Sequence, residues 1–138
     1  MPARPHFRPL VGASILIAAL VATLSLPAAA QSPGISKTEI LIATIQDLSG
    51  PVAAYGKAAR NGLQLRVDEI NEQGGIHGRK LRLIAEDHGY DPKRAVLAAQ
   101  KLVSQDKVFL IASHIGTPQN NAAMPVQFEK GVINFMPL

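Results

Sequence analysis

Ser113, His114, Gly116 and Thr117 fall within a span of five residues, and Pro118 follows directly. A Thr-Pro pair behind an apolar run opens a helix, because Thr offers a capping oxygen and Pro a preset φ. The free N–H groups of a first helical turn, with the positive end of the dipole, suit a carboxylate or a phosphate. Thr117 can cap that helix or give its hydroxyl to a ligand. Ser113, His114 and Gly116 line the same segment. A second candidate segment, residues 46–57, carries Asp47, Ser49, Gly50, Pro51, Tyr55 and Gly56. The Tyr55 ring can stack on a ligand or cover a sheet edge.

Other chemistries fit less well. Gly50, Gly56 and Lys57 resemble a phosphate loop, but five residues separate the glycines where four are needed, and Ala58 stands where Ser or Thr would hold magnesium. No G-x-G-x-x-G follows the first strand, and no G-x-S-x-G elbow occurs. The third strand runs out at Ala112-Ser113-His114, without the acid that a receiver domain needs. Glu86, Asp87, His88 and Asp91 are metal-ligand types. Neighbours on a strand point to opposite faces, so these residues are read as a solvated strand end and no metal is assigned. His77 lies in the turn Gly-Gly-Ile-His-Gly, and His114 alone makes no catalytic triad.

The elements that must position these groups alternate. Residues 39–45 form a β-rich apolar run, expected to be a strand buried on both faces. Ala59, Leu63, Val67 and Ile70 recur at helical spacing, and Gly74-Gly75 stops that helix. Residues 80–86 give a second strand. Asp91-Pro92 opens a second helix whose inner face is Ala95, Ala98, Ala99 and Leu102. Residues 108–112 give a third strand, and Thr117 opens a third helix that ends near Gly131. A fourth strand begins at residues 132–135. The fold class is α/β, an open parallel sheet with helices on both faces. In the flavodoxin-like order 2-1-3-4, ligands sit between the ends of the first and third strands. The fourth strand has no covering helix after it, so the architecture is incomplete, and the unpaired edge predicts poor solubility.

The chain has 138 residues, 47% hydrophobic, a formal charge of +4 and no cysteine. That apolar fraction excludes a disordered tail, and the lack of cysteine excludes a disulfide framework, a thiol nucleophile and a lipid-bearing Cys. Arg4, His6 and Arg8 precede an apolar run at residues 10–26, then Pro27 and Ala28-Ala29-Ala30. This order predicts a secretory signal over residues 1–30, cleaved before Gln31, and a soluble periplasmic product. Removing Arg4 and Arg8 lowers the charge by two, so bulk charge gives no case for nucleic acid. The competing reading of residues 10–26 is an uncleaved membrane anchor, which would make the chain a ligand-sensing ectodomain.

Leu48-Ser-Gly-Pro-Val-Ala-Ala-Tyr-Gly56, Asn61-Gly62, Glu69-Ile-Asn-Glu-Gln-Gly-Gly-Ile-His-Gly-Arg-Lys-Leu81 and Glu86-Asp-His-Gly-Tyr-Asp-Pro92 resemble the periplasmic leucine/isoleucine/valine-binding protein family. These are type I substrate-binding proteins of ATP-driven importers. The resemblance implies two α/β lobes that close on a ligand. Residues 31–138 would be the N-terminal part of the first lobe. It also implies a membrane permease of an ABC importer as partner, a monomer, no cofactor and no catalysis. The family's aromatic over the ligand side chain falls on Tyr55, and its hydroxyl to the ligand carboxylate falls on Thr117, with Gly131 aligned to the glycine before the fourth strand. Some members join the second and third loops by a disulfide; the matching positions here are Tyr90 and Gly116, which leaves the loop held by packing alone. Asn120-Asn121 and Met124-Pro125 depart from a strict branched-chain binder, so an aromatic acid, an amide or another small carboxylate stays open. A ligand held between two lobes loses contacts when one is missing, so residues 31–138 alone are expected to bind weakly or not at all. An exported enzyme is the remaining class, and no catalytic pair supports it.

Overall fold

The computed structural model describes Met1 and residues 32–138, so the expected signal at residues 1–30 lies outside the described residues apart from Met1. Four strands, β1 (Glu39–Gln46), β2 (Lys80–Asp87), β3 (Leu110–Ala112) and β4 (Ile133–Phe135), alternate with three helices, α1 (Ala53–Glu72), α2 (Pro92–Ser104) and α3 (Thr117–Glu129). All pairings are parallel, in the order β2-β1-β3-β4. This is the expected topology, with the switch point between β1 and β3. No described helix is long and apolar enough to cross a membrane.

Alternation along β1 sends its side chains to two layers. Ala43 and Ile45 join Ala95, Ala98, Ala99, Leu102 and Val103 of α2, Ile111 of β3 and Ala123 of α3. Ile40 joins Val67 of α1 and Leu81 of β2 on the other face, where Ile42, Ile70 and Leu83 pack around them. So α2 and α3 share one face and α1 takes the other. The second layer is thinner. Of the α1 residues expected to face inward only Val67 is fully buried, because α1 lies against β1 and β2 and leaves the rest of that face open. A groove of about 680 Å³ remains there, with Leu63, Phe109, Leu110, Ala112, Phe135 and Met136 in its walls. On this open face Ile42 stays half-buried, and β1 is continuously buried from Ala43 onward.

Local chemistry explains the ends. Asp91 caps α2 by accepting from the Lys93 amide at 2.7 Å, with Pro92 in the first turn, as expected. Helix α1 stops before Gly74-Gly75, and the Gly75 amide donates back to Ile70 O at 2.8 Å. Asn71 ties α1 to β2 through both amide groups: its Nδ2 donates to Leu81 O at 2.8 Å, and its Oδ1 accepts from Leu81 N at 2.7 Å. β3 is shorter than its apolar run because Lys107 has φ 53° and the Val108 amide turns back to Leu102 O.

Candidate functional site

The loops after β1, β2 and β3 converge at the carboxyl edge of the sheet. The loop after β1 is shorter than expected. Helix α1 begins at Ala53, so the loop is residues 47–52 and Tyr55 stands in the first helical turn. Two carboxylates shape this loop. Asp47, fully buried, accepts from Gly50 N at 2.5 Å and Val52 N at 2.8 Å. Asp87 accepts from Leu48 N at 2.8 Å, Gly89 N at 2.9 Å and the Ser49 hydroxyl at 2.6 Å, and pairs with Arg94 at 3.2 Å. Burial pushes the Asp87 carboxyl up, but the Ser49, Leu48 and Gly89 donors and the Arg94 charge outweigh it and hold it at about 2. Gly56 is required by close approach: a Cβ there would stand 2.0 Å from Asp47 O.

The loop after β3, residues 113–116, is held from three sides. Ser113 N donates to Phe135 O at 2.9 Å, Ile115 N to Ile45 O at 3.2 Å and Gly116 N to Leu138 O at 2.8 Å. Gln46, the buried last residue of β1, donates from Nε2 to Ser113 O. Asn120 donates to His114 O at 2.7 Å and Gly116 O at 3.0 Å, and accepts from Asn134. Asn120, set apart in the sequence as a departure bearing on the ligand, is thus a buried brace of this loop.

Thr117 departs from expectation in an informative way. The N-cap of α3 is Gly116, at φ 96° and ψ 118°, and no side chain caps the helix. Glycine reaches that φ without strain, so the chain enters the helix one residue earlier and Thr117 becomes the first helical residue. It is exposed. Its hydroxyl is therefore not spent on capping. Pro118 has no N–H and Gln119 is buried, so the first-turn amide that α3 can present is that of Thr117.

The five sequence-selected residues separate. Tyr55, 73% exposed, and Thr117 open the helices that follow the neighbouring strands β1 and β3. Ser113 is half-buried at φ 54°, and Gly116 is buried and acts through its backbone. His114 is corrected: its side chain is completely buried rather than at the ligand edge, with its ring centroid 5.6 Å from that of His88. Burial, and then the neighbouring His88, push its imidazole down to about 3. The solvated strand end is corrected too. Glu86 pairs with Lys101 at 2.6 Å, Asp87 staples the loop after β1, and His88 is fully buried. Among the described residues no three His, Asp or Glu come together around a metal site.

Sequence reasoning missed His88 and Gln119. The loops carrying Tyr90 and Gly116 are not held by packing alone. His88 Nε2 bonds Ile115 O at 3.0 Å, and Gln119 Nε2 donates to Tyr90 O at 2.6 Å. Burial of a polar side chain at 0–1% exposure is the sign of such a role, and only the structure supplies it.

Residues 39–137 match a family described as periplasmic binding protein. A Leu/Ile/Val-binding protein of Rhizobium johnstonii is 39% identical over 125 residues, which is 88% of this chain and 31% of that protein. The substrate-binding protein of a branched-chain amino acid transporter from Streptococcus pneumoniae, solved in complex with isoleucine, is similar with a TM-score of 0.68 and 33% identity over 73% of this chain and 29% of that one. A fatty acid ABC transporter substrate-binding protein from Thermomonospora curvata gives a TM-score of 0.67 and 30% identity, over 74% and 26%. The chain thus spans under a third of each of these relatives, all of them named as binding proteins rather than enzymes. A match that runs through all four strands and all three helices shows that the chain belongs to the periplasmic binding protein family.

Proposed function

We propose that this chain supplies the first part of one lobe of a periplasmic solute-binding protein. That protein captures a branched-chain amino acid or a similar small carboxylate and hands it to the permease of an ABC importer. The observation that carries the reading is the opening of α3, where Gly116 takes the cap position and leaves the exposed Thr117 with its hydroxyl uncommitted at the β1/β3 switch point. A carboxylate meets neutral donors and a helix dipole there, with no buried counter-charge required. Tyr55, in the first turn of α1, offers an apolar wall. The relatives add support: one neighbour holds isoleucine and another is named for fatty acids, and both ligands are carboxylates. The work is binding followed by closure of two lobes, with no covalent step. Residues 1–30 act as the export signal that brings the chain to the periplasm.

The test is a thermal-shift panel on the full natural protein with leucine, isoleucine, valine, phenylalanine, a short amide and octanoate. A ligand at about a hundred times its Kd adds roughly 2.7 kcal/mol and raises the melting temperature. A rise with a carboxylate, absent with its methyl ester, supports the reading. A rise only with neutral amides, or none at all, overturns it. Because the chain covers under a third of its relatives, residues 31–138 alone are expected to give little or no shift.

A further inference from the structure

His88 and Gln119 reach across the same gap in opposite directions. The His88 ring starts from the loop after β2 and bonds Ile115 O, 3.0 Å away in the loop after β3. The Gln119 side chain starts from α3 and donates to Tyr90 O, 2.6 Å away in the loop after β2. Both side chains are buried, and the segment between their attachment points, residues 116–118, is the opening of α3 with Thr117 at its centre. The bonds also define the His88 tautomer. Nδ1 accepts from the Tyr90 amide at 2.9 Å, so the ring proton sits on Nε2 and is donated to Ile115 O. One ring thereby closes its own turn and ties down the neighbouring loop. The His88 amide completes the connection by donating to Gln46 O at 3.0 Å, beside the Ile115-to-Ile45 bond on the other side of β1.

We propose that His88 is a positioning residue of the ligand edge, and that with Gln119 it forms a two-bond clamp fixing where Thr117 stands. The proposal rests on the reading of Thr117 as a ligand group. It differs from a packing role in depending on one ring nitrogen. Gln at this position places a donor nitrogen as far along the side chain as Nε2 and keeps the bond to Ile115. Asn places its amide only as far as Nδ1, which serves the Tyr90 turn and loses the crossing bond.

The experiment compares His88→Gln, His88→Asn and Gln119→Met in the full natural protein. Hydrogen exchange of the amides at residues 115–120 is read without ligand, and affinity is read with L-isoleucine. His88→Asn and Gln119→Met should speed exchange at residues 115–120 by about tenfold, the scale of one lost buried hydrogen bond, and weaken isoleucine by a similar factor. His88→Gln should leave both within about threefold. Equal behaviour of the Gln and Asn variants overturns the clamp, as does exchange that rises evenly across β1 and β3. Gln119→Met decides the case by itself if the Asn variant does not fold. If the parent protein binds no isoleucine while the exchange pattern still splits, the clamp stands and the proposed ligand class fails. If isoleucine binds and the variants do not differ, the clamp alone fails.

Discussion

The imidazole rings of His88 and His114 lie 5.6 Å apart, both wholly shielded from solvent. Burial and the Ile115 carbonyl act in opposite directions on His88, and burial wins, so its pKa falls below the ordinary 6.5. His114 falls further, to about 3, and neither of its ring nitrogens has a hydrogen-bond partner. Both native rings are therefore neutral where the unfolded chain's are charged. The unfolded state binds more protons below pH 6.5, so stability is complete above that value and declines as pH falls toward about 3. The expected slope from His114 is about 1.4 kcal/mol per pH unit between those limits, and His88 acts in the same direction. Urea titrations at stepped pH check this, and His114→Phe should flatten the slope. A parent protein equally stable at pH 7 and pH 4.5 would contradict it.

Asp87 adds a second, more acidic window. Its carboxyl is depressed from 3.8 to about 2, so its contribution is present above 3.8 and is lost as pH falls through about 2. Asp87→Ala leaves the Leu48 and Gly89 amides and the Ser49 hydroxyl without their acceptor. The expected loss is about 2 kcal/mol. The change should be accompanied by faster proteolysis within residues 47–52.

Thr117→Ala and Tyr55→Ala should separate binding from stability. Both side chains are exposed, and Thr117 does not cap its helix, so each change should move stability by no more than about 0.5 kcal/mol. Thr117→Ala should weaken a carboxylate ligand by about tenfold through one lost hydrogen bond. Tyr55→Ala should weaken large apolar side chains more than glycine or alanine. Calorimetric titration of full-length variants measures both, and unchanged affinities would remove these residues from the site.

Gly56→Ala is the contrasting case. The added Cβ would stand 2.0 Å from a backbone oxygen, Asp47 O, which cannot rotate away. A loss of about 2 kcal/mol or more is expected, although alanine favours helices. A melting curve equal to the parent's would mean that α1 shifts freely over the loop.

Strand order, helix count, the Asp91-Pro92 cap and the inner face of α2 were all legible from the chain itself. The reason is that they rest on short-range physics: apolar period, cap chemistry and the positions of Gly and Pro. The ligand edge was legible as a place, because parallel order and crossover handedness locate it without coordinates. The roles of individual side chains there were decided by tertiary structure. Whether Thr117 caps or stays free depends on Gly116 taking φ 96°, which the pairing of the loop with Leu138 helps to hold. Whether His88 and His114 face water or each other depends on the loop after β3 closing against the loop after β2, where His88 meets Ile115, 27 residues further along the chain. The contacts that decide burial and proton position join residues far apart in sequence, and no local pattern of residue types records them.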